Sequence, residues 1–191
     1  MPDIYDFDKT VIYPDSGQTF YKFCLKRHPA ILRFLPGQAW AVLRFWLGYK
    51  NSATYRGEYF GFMRALPDWR EEVRLFWENN ASWMLKPWYL AQKKPDDIII
   101  SASPVFLLEP ICRQLGVRLI STGVHPEKGR VQGFTCRGAE KVRRLREEYG
   151  DIEIGNFYSD SLSDTPLAEL AKKAWLVTGD KIEPWPWKKD D

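Results

Sequence analysis

The sequence predicts an α/β fold: a parallel sheet with helices on both faces, and an all-helical block inserted after the first strand. Three observations support this prediction. Strand-like and helix-like segments alternate after residue 95, which is typical of parallel sheets. Residues 98–100 are three isoleucines, as expected of a strand buried on both faces. Between residues 15 and 90 the pattern is helical throughout.

Length and composition indicate one core with a smaller insert. The chain has 191 residues, of which 45% are hydrophobic and 28% charged, the composition of a folded chain. Its net charge of +3 is too small to predict nucleic-acid binding. Residues 11–95 carry 13 Lys and Arg against 6 Asp and Glu, whereas the remainder is acidic. This asymmetry suggests two modules with different partners.

Cysteine usage predicts a cytoplasmic protein with reduced thiols. Cys24, Cys112 and Cys136 are far apart, no CxxC motif occurs, and there are two histidines. A structural zinc site and a disulfide framework are therefore not expected. The first residues are acidic and strand-like, so no signal peptide is expected.

The first strand is predicted over residues 4–7 and ends at two aspartates. The helical block at residues 15–90 is punctuated by prolines and glycines and contains six of the nine tryptophans. Asp15 or Ser16 can cap its first helix, and Asp68 can cap a later one. We interpret this block as a cap that packs on the α/β core.

Residues 31–49 are almost apolar enough to suggest a membrane span. Arg33 and Arg44 flank a Pro36-Gly37 step within this stretch. Charges and a helix break argue against a spanning helix. A helical hairpin or an interfacial segment fits better, so peripheral membrane contact through the cap stays open.

The second half of the chain is predicted to alternate strand and helix, with the first of these helices stopped by Gly116. Strands are predicted at residues 98–100, 117–121, 130–135, 152–158 and 175–177, and helices at 107–115, 138–149 and 167–172. We interpret the tail from residue 184 as a loose end, because it is rich in tryptophan, proline and charge.

Polar side chains gather where the predicted strands end. Because ligands bind outside the carboxyl ends of strands in open α/β sheets, these side chains are expected to converge on one site. In chain order they are Asp6, Asp8, Thr10, Ser101, Lys141, Asp160 and Asp164.

This set resembles the four motifs of the haloacid dehalogenase (HAD) superfamily of phosphatases. The DxDxT of residues 6–10 resembles the first motif, and Ser101 after its apolar strand the second. Lys141 at the start of a helix resembles the third, and the acidic pair in YSDSLSDTPL the fourth. The helical block looks like the C1 cap of the branch that contains phosphoserine phosphatase and phosphatidylglycerophosphate phosphatases. The resemblance covers nearly the whole chain and implies a Rossmann-like core at residues 1–14 and 91–191.

Phosphoryl transfer needs an in-line nucleophile, charge neutralisation and a proton for the leaving oxygen. Asp6 can attack phosphorus and form an aspartyl-phosphate. Asp8 can protonate the leaving oxygen and then deprotonate the attacking water. Ser101 and Lys141 are expected to hold the phosphoryl oxygens, and Thr10 is grouped with them as phosphate-binding.

Mg²⁺ is the expected cofactor, because a carboxylate and a phosphate repel each other without a cation between them. Asp6 and Asp160 would hold it together with the backbone carbonyl of Asp8, as the resemblance implies. Asp164 is expected to orient Lys141 or a metal-bound water.

Two features depart from the family pattern. Ser159 stands where a glycine is often found. Lys9 stands where a small residue is common, and it has no assigned role.

Asp-Lys-Thr also begins the phosphorylation motif of P-type ATPases, which would make Asp8 the nucleophile. That motif continues with Gly-Thr, whereas Val-Ile follows here, so Asp6 is favoured. A dehalogenase is disfavoured because it would not need Asp8 as acid and base.

Other candidates have simpler interpretations. Ser101 could cap the helix that follows it, and Asp164 could cap the helix before Pro166. Lys128 is a rival for the role of Lys141, but its surroundings are typical of a solvated turn.

The leading hypothesis is a cytoplasmic, Mg²⁺-dependent phosphomonoester hydrolase. Its substrate would be a small polar phosphate or a lipid-like, amphipathic phosphate. The alternative is a catalytically weak binding or regulatory module, whose basic aromatic cap engages anionic lipid or a protein partner. No nucleic-acid partner is expected, and the oligomeric state is not predicted.

Overall fold

The computed structural model describes residues 1–34 and 60–187, in which a six-stranded sheet forms the centre. The sheet contains β1 (Ile4–Tyr5), β2 (Ile98–Pro104), β3 (Arg118–Thr122), β6 (Ile154–Ser159), β7 (Ala171–Thr178) and β8 (Lys181–Pro184). A separate hairpin contains β4 (Val124–His125) and β5 (Arg130–Val131).

Six α-helices and three 3₁₀ turns surround the sheet in these described ranges. The helices are α1 (Ser16–Arg27), α2 (Trp69–Met84), α3 (Pro87–Gln92), α4 (Val105–Leu115), α5 (Ala139–Tyr149) and α6 (Thr165–Ala168). The 3₁₀ turns are Pro29–Phe34, Phe60–Ala65 and Leu162–Asp164.

The strand order is β3-β2-β1-β6-β7-β8, and the first five of these strands run parallel. Ile4 pairs with Ile98 on one side and with Phe157 on the other, so β1 is central. β8 runs antiparallel to β7 at one edge. The predicted parallel sheet is confirmed, and the carboxyl ends of β1, β2 and β6 meet at one edge.

Each face of the sheet has its own apolar core, because successive strand residues point to opposite faces. Ile4 belongs to the core that contains Leu145 of α5. Tyr5 belongs to the other core, which contains Leu107 of α4 and Phe76 of α2. Fully burying such side chains contributes roughly 1.5–3 kcal/mol each. Helices on both faces are therefore confirmed.

Two described helices within the predicted cap, α1 and α2, begin as expected. Asp15 caps α1, and its carboxylate accepts the N–H of the third helical residue at 2.8 Å. Asp68 caps α2, and its carboxylate accepts the N–H of the second helical residue at 2.9 Å and that of the third at 3.4 Å. The rings of Phe20 and Phe76 then join the two helices in a T-shaped contact with centroids 5.4 Å apart.

Much of the predicted helical block, including most of the apolar stretch at residues 31–49, lies outside the described residues. The cap boundaries at residues 15 and 90 therefore stay a prediction. Across residues 1–34 and 60–187, no helix combines the length and the apolar character needed to cross a bilayer.

The chain leaves and re-enters the core through two adjacent crossings. The N–H of Tyr13 donates to the carbonyl of Met84 at 2.9 Å, and the N–H of Lys86 donates to the carbonyl of Val11 at 3.0 Å. An isolated antiparallel bridge between Ile12 and Leu85 lies between these bonds. The return of the helical segment is thereby tied to the residues that follow β1.

The prediction of a helix at residues 167–172 is wrong. α6 ends at Ala168, and β7 begins at Ala171, four residues before the predicted strand start. Ala171 pairs with Ile154, and the ladder continues to the pair of Ser159 and Leu176. These pairings satisfy backbone groups beside a buried strand, which outweighs local helix propensity.

The interpretation of the tail as a loose end is also wrong for its described part. Gly179, with φ of +61°, allows the tight turn that returns the chain as β8. Trp185 is then 3% exposed and packs against the ring of Phe157. The apolar surface of this tryptophan favours docking, although the flanking prolines suggested a coil.

Several predicted strands differ in their bounds from those in the structure. The strand expected at residues 4–7 is only β1, because the chain turns directly at Asp6. The strand expected at residues 130–135 is only β5, since it pairs with the two-residue β4. β2 extends beyond the three isoleucines to Pro104.

Candidate active site

A tight turn follows β1 and carries the first two carboxylates. The N–H of Asp6 donates to the carbonyl of Tyr158 in β6 at 2.9 Å, which fixes the end of the strand. The carbonyl of Phe7 then accepts the N–H groups of the third, fourth and fifth residues after it, at 3.3, 2.9 and 3.2 Å. Lys9 in this turn has φ of +58°, a left-handed conformation that costs roughly 1–2 kcal/mol for a residue with a Cβ.

Lys141 joins the first motif to the fourth. Its Nζ lies 2.6 Å from Oδ1 of Asp6 and 2.6 Å from Oδ2 of Asp164. Lys141 lies in the first turn of α5 and is 1% exposed. A buried ammonium requires such charged hydrogen-bond partners. The structure therefore brings three of the predicted site residues into direct contact.

Asp164 binds Lys141 and does not cap α6 with its side chain. Its Oδ2 also accepts the hydroxyl of Ser159 at 2.9 Å, and its Oδ1 accepts the N–H of Gly138 at 3.3 Å. These bonds favour the orienting interpretation over the capping one. Ser159, which departs from the family pattern, thus supports Asp164 directly.

The side-chain pKa values of the buried residues Asp6 and Lys141 are both strongly shifted. Burial raises the pKa of Asp6 to about 7, with the charges of Asp164 and Asp8 acting in the same direction and Lys141 opposing them. Burial alone would lower the pKa of Lys141, but the two carboxylates beside it hold that pKa above its usual range. Lys141 is therefore a permanent cation in the site.

Asp8 is held by two serines, Ser16 and Ser103, that were not predicted as site residues. Its Oδ1 accepts the backbone N–H of Ser16, the first residue of α1, at 2.6 Å. Its Oδ2 accepts the hydroxyl of Ser103, which also bonds to the hydroxyl of Ser16 at 3.2 Å. The motif Ser-Ala-Ser at residues 101–103 was the available signal, since alternate residues of an extended strand share a face.

Burial raises the pKa of Asp8 to about 6, and the nearby charge of Asp15 adds to this effect. The hydrogen bonds from Ser103 and Ser16 act in the opposite direction. A carboxyl group in this range can both donate and accept a proton near neutral pH.

The two predicted hydroxyl ligands of phosphate have different positions. Ser101 is buried in the middle of β2, directly after the three isoleucines, and lines the same cavity as Asp6 and Lys141. Its Oγ accepts the N–H of Ser103 at 3.1 Å. Thr10 is fully buried, is not among the residues that line the cavity, and its Oγ1 has no hydrogen-bond partner among the described residues.

The cavity at this edge of the sheet has a volume of about 470 Å³. All of the predicted site residues except Thr10 line it, and Lys9 and Arg137 add two cations. The lining also includes Val124 and Val131 of the β4–β5 hairpin, together with Phe60. This hairpin was not predicted to be part of the site.

The tip of this hairpin packs tightly against the helical segment. A Cβ on Gly129, which has φ of +61°, would lie 2.5 Å from the carbonyl oxygen of Phe60. The hairpin and the 3₁₀ turn that begins at Phe60 therefore meet beside the cavity. By contrast, Lys128, the rival of Lys141, is not among the residues that line this cavity.

Asp160 is half-buried after β6 and lines the cavity with Asp6 and Asp8. Burial raises its pKa, while the charges of Lys9 and Lys141 oppose this shift. Within the described ranges, no three His, Cys, Asp or Glu side chains form a metal cluster. Mg²⁺ does not need one, because it commonly binds through one or two carboxylates and retains waters. The carboxylates of Asp6 and Asp160, which both line the cavity, fit this preference.

The sequence profile of the haloacid dehalogenase-like hydrolases matches residues 4–169. The chain therefore belongs to the haloacid dehalogenase-like hydrolase family. Protein CicA of Caulobacter vibrioides is 30% identical over 184 residues, covering 87% of this chain and 81% of that protein. A probable phosphatase of Mycobacterium tuberculosis is 31% identical over 106 residues, covering 48% of this chain and 37% of that protein.

Solved structures show the same fold. A protein of unknown function from Bordetella pertussis Tohama I has a TM-score of 0.72 at 22% identity, over 91% of this chain and 87% of that one. Phosphoserine phosphatase in its apo form has a TM-score of 0.56 at 12% identity, over 90% and 82% of the two chains. The predicted superfamily is therefore confirmed, and the chain is an enzyme of the class of haloacid dehalogenase-like hydrolases.

Proposed function

We propose that the protein is a Mg²⁺-dependent phosphomonoester hydrolase that works through an aspartyl-phosphate on Asp6. The observation that supports this most directly is the contact of Lys141 with Asp6 and Asp164, in a cavity that Asp8 also lines. A nucleophile, a candidate proton carrier and a fixed cation are thus within one pocket.

In the first step, a carboxylate oxygen of Asp6 attacks phosphorus and the bond from phosphorus to the leaving oxygen breaks. Asp8 in its protonated form gives its proton to that oxygen, so the alcohol leaves neutral. In the second step, a water attacks the same phosphorus, its proton returns to Asp8, and the bond to Asp6 breaks. Inorganic phosphate leaves and both carboxyl groups regain their initial states.

The remaining residues neutralise and orient the phosphoryl group. Lys141 supplies positive charge to its oxygens, Ser101 supplies a hydroxyl, and Asp164 keeps Lys141 in position. Asp6, Asp160 and the carbonyl of Asp8 would hold Mg²⁺. The bound ion would shield the nucleophile from the negative charge of the phosphate. Thr10 stays a predicted phosphate ligand. Its position does not support this role, because Thr10 is not among the residues that line the cavity.

The proposed substrate class follows from the two kinds of residue that line the cavity. Val124, Val131 and Phe60 provide apolar surface, and Arg137 provides a cation near the predicted phosphate site. This combination favours an amphipathic organic phosphate. A small polar phosphate is the second candidate, by analogy with the phosphoserine phosphatase whose fold this chain shares. Three features of the chain stay predictions: its membership in the branch with a C1 cap, its cytoplasmic location, and membrane contact through residues 31–49.

The decisive experiment replaces the nucleophile. Asp6→Asn keeps the shape of the side chain but removes its charge, and we expect turnover of p-nitrophenyl phosphate with Mg²⁺ to fall by roughly a thousandfold or more. Asp68→Asn is the matched control, because asparagine also caps helices and Asp68 caps α2 without being one of the proposed site residues. Activity of the Asp6 variant within about tenfold of wild type would exclude Asp6 as nucleophile.

A further inference from the structure

Lys86 is the most unusual buried cation outside the contacts just described. It lies between α2 and α3 and has 0% exposure. No ion pair involves Lys86 in the described part of the chain; its Nζ instead donates to two backbone carbonyls at 2.6 Å each. The ring of Tyr13 lies 5.4 Å from the same nitrogen. Burying an ammonium without a carboxylate partner is costly, so an apolar residue would suit the core better.

One of the two carbonyls belongs to Lys9. Among the described residues, Lys9 is the single non-glycine residue with positive φ. A left-handed residue with a Cβ persists only where its surroundings hold it there. The ammonium of Lys86 contacts the backbone of this strained residue directly, one residue after Asp8 and three after Asp6.

The second carbonyl belongs to Gly179, in the turn between β7 and β8. Lys86 is also the residue whose N–H bonds to Val11 at the crossing into the helical segment. Its side chain therefore links three parts of the molecule: the turn after β1, the crossing, and the β7–β8 hairpin. Burial lowers the pKa of Lys86, an effect that the charges of Asp180 and Asp160 oppose.

We propose that Lys86 is a positioning residue for the reaction: its ammonium holds the carbonyl of Lys9 and thereby fixes the turn from which Asp6 and Asp8 project. This inference rests on the proposed function, since it concerns the aim of the two reacting carboxyl groups. Its structural half, the restraint of the turn, can be measured without any activity.

The test replaces Lys86 with methionine, which has a similar apolar stem and no N–H donor. In the free protein, we expect hydrogen–deuterium exchange of a peptide covering residues 6–13 to become about tenfold faster. With an aryl phosphate and Mg²⁺, we expect kcat to fall by roughly 10- to 100-fold while KM changes by less than about threefold, because misaimed groups slow chemistry more than binding.

Lys93→Met is the matched control. The Nζ of Lys93 also donates to a backbone carbonyl, that of Leu115 at the end of α4, at 2.7 Å. This bond does not involve the turn after β1. The control should therefore leave both kcat and the exchange of residues 6–13 at wild-type levels.

A double-variant comparison separates positioning from general stability. Lys9→Asn introduces a residue that adopts the left-handed region more readily, so the turn should depend less on Lys86. We expect K86M to reduce kcat at least about threefold less in the K9N background than in wild type. An equal reduction in both backgrounds would show that Lys86 does not act through the turn, and would overturn the proposal.

Unchanged exchange of residues 6–13 in K86M would also overturn the proposal. If K86M does not fold, Lys86→Gln, whose shorter and uncharged side chain should weaken the contact with the carbonyl of Lys9, gives the same comparison with smaller expected effects. A wild-type protein that hydrolyses no phosphate would refute the proposed function; in that case, faster exchange in K86M would still support the restraint of the turn by Lys86.

Discussion

Asp164 and Lys141 form a 2.6 Å hydrogen bond at a point where both side chains are almost completely shielded from solvent. Because such a pair is buried, removing either charge leaves the other with too few partners. Ser159 and Gly138 supply the remaining bonds to Asp164, so its carboxylate has one well-defined orientation. The ammonium that faces Asp6 is therefore oriented from behind by a fixed acceptor.

Asp164→Asn tests this orientation. The variant keeps an oxygen acceptor but removes the charge, so Lys141 would bind Asp6 more tightly and weaken it as a nucleophile. We expect kcat/KM for an aryl phosphate to fall by roughly 10- to 100-fold. Asp151→Asn, in an exposed pair with Arg146, should have no effect. Wild-type kinetics in the Asp164 variant would contradict the orienting role.

The acid role of Asp8 can be tested with leaving groups of different acidity. Asp8→Asn cannot donate a proton, so it should slow release of a poor leaving group far more than release of nitrophenolate. We expect a loss of roughly 100-fold or more with an alkyl phosphate and a clearly smaller loss in the phosphorylation step with p-nitrophenyl phosphate. Rapid-quench measurement of phosphoenzyme formation provides the comparison. Equal losses with both substrates would assign the proton to another group.

Removal of divalent metal should abolish activity, and Mg²⁺ should restore it. Asp160→Asn removes one of the two proposed carboxylate ligands, so we expect Mg²⁺ affinity to fall by roughly tenfold or more. Titration calorimetry without substrate measures this directly. Asp180→Asn is a control of the same charge outside the proposed ligand set. Unchanged Mg²⁺ binding in the Asp160 variant would remove Asp160 from that set.

Asp3 provides a prediction on stability that does not involve the reaction. Its Oδ1 accepts two N–H groups of Asn156 at 2.7 and 2.9 Å, and its Oδ2 accepts Lys94 at 2.9 Å. Burial would raise the pKa of Asp3, but the bonds from Lys94 and Asn156 outweigh it and hold the pKa below 3.8. The ionised form is therefore favoured by folding, and this stabilisation is present above the unfolded pKa and lost as pH falls through the folded one.

Asp3→Asn should consequently reduce the free energy of unfolding by about 1–3 kcal/mol near neutral pH. The difference from wild type should shrink as pH falls from the pKa of an unfolded aspartate, about 3.9, through the lower pKa of folded Asp3. Urea unfolding at several pH values measures both effects, with the exposed Asp96→Asn as control. A difference that stays constant down to about pH 2 would contradict the assigned bonds.

The convergence of the site was predictable because strand direction is encoded in local pattern. The isoleucines of β2 and the alternation after residue 95 indicated parallel strands, and the carboxyl ends of parallel strands meet at one edge. Asp6, Ser101 and Asp160 therefore had to lie near one another. Their chemical roles were not determined in this way and depend on the family resemblance.

The contacts that hold Asp8 were not predicted. The Ser-Ala-Ser pattern places Ser103 on the same face as Ser101, but Ser103 is 95 residues from Asp8 in sequence, and the pattern does not indicate which residue it contacts. Likewise, the bond from Lys86 to Lys9 spans 77 residues and joins two loops. β8 was missed for a related reason, because its pairing with β7 compensates for a short, proline-flanked sequence. Each of these features arises from long-range packing.

The outer edge of the sheet at β8 has a consequence for behaviour at high concentration. An exposed sheet edge can accept a strand from another molecule and begin edge-to-edge aggregation. Lys181 and Glu183 are exposed charges on β8, and Pro184 has no N–H to donate. The short hairpin that completes the fold thus also shields its sheet from adding strands of neighbouring molecules.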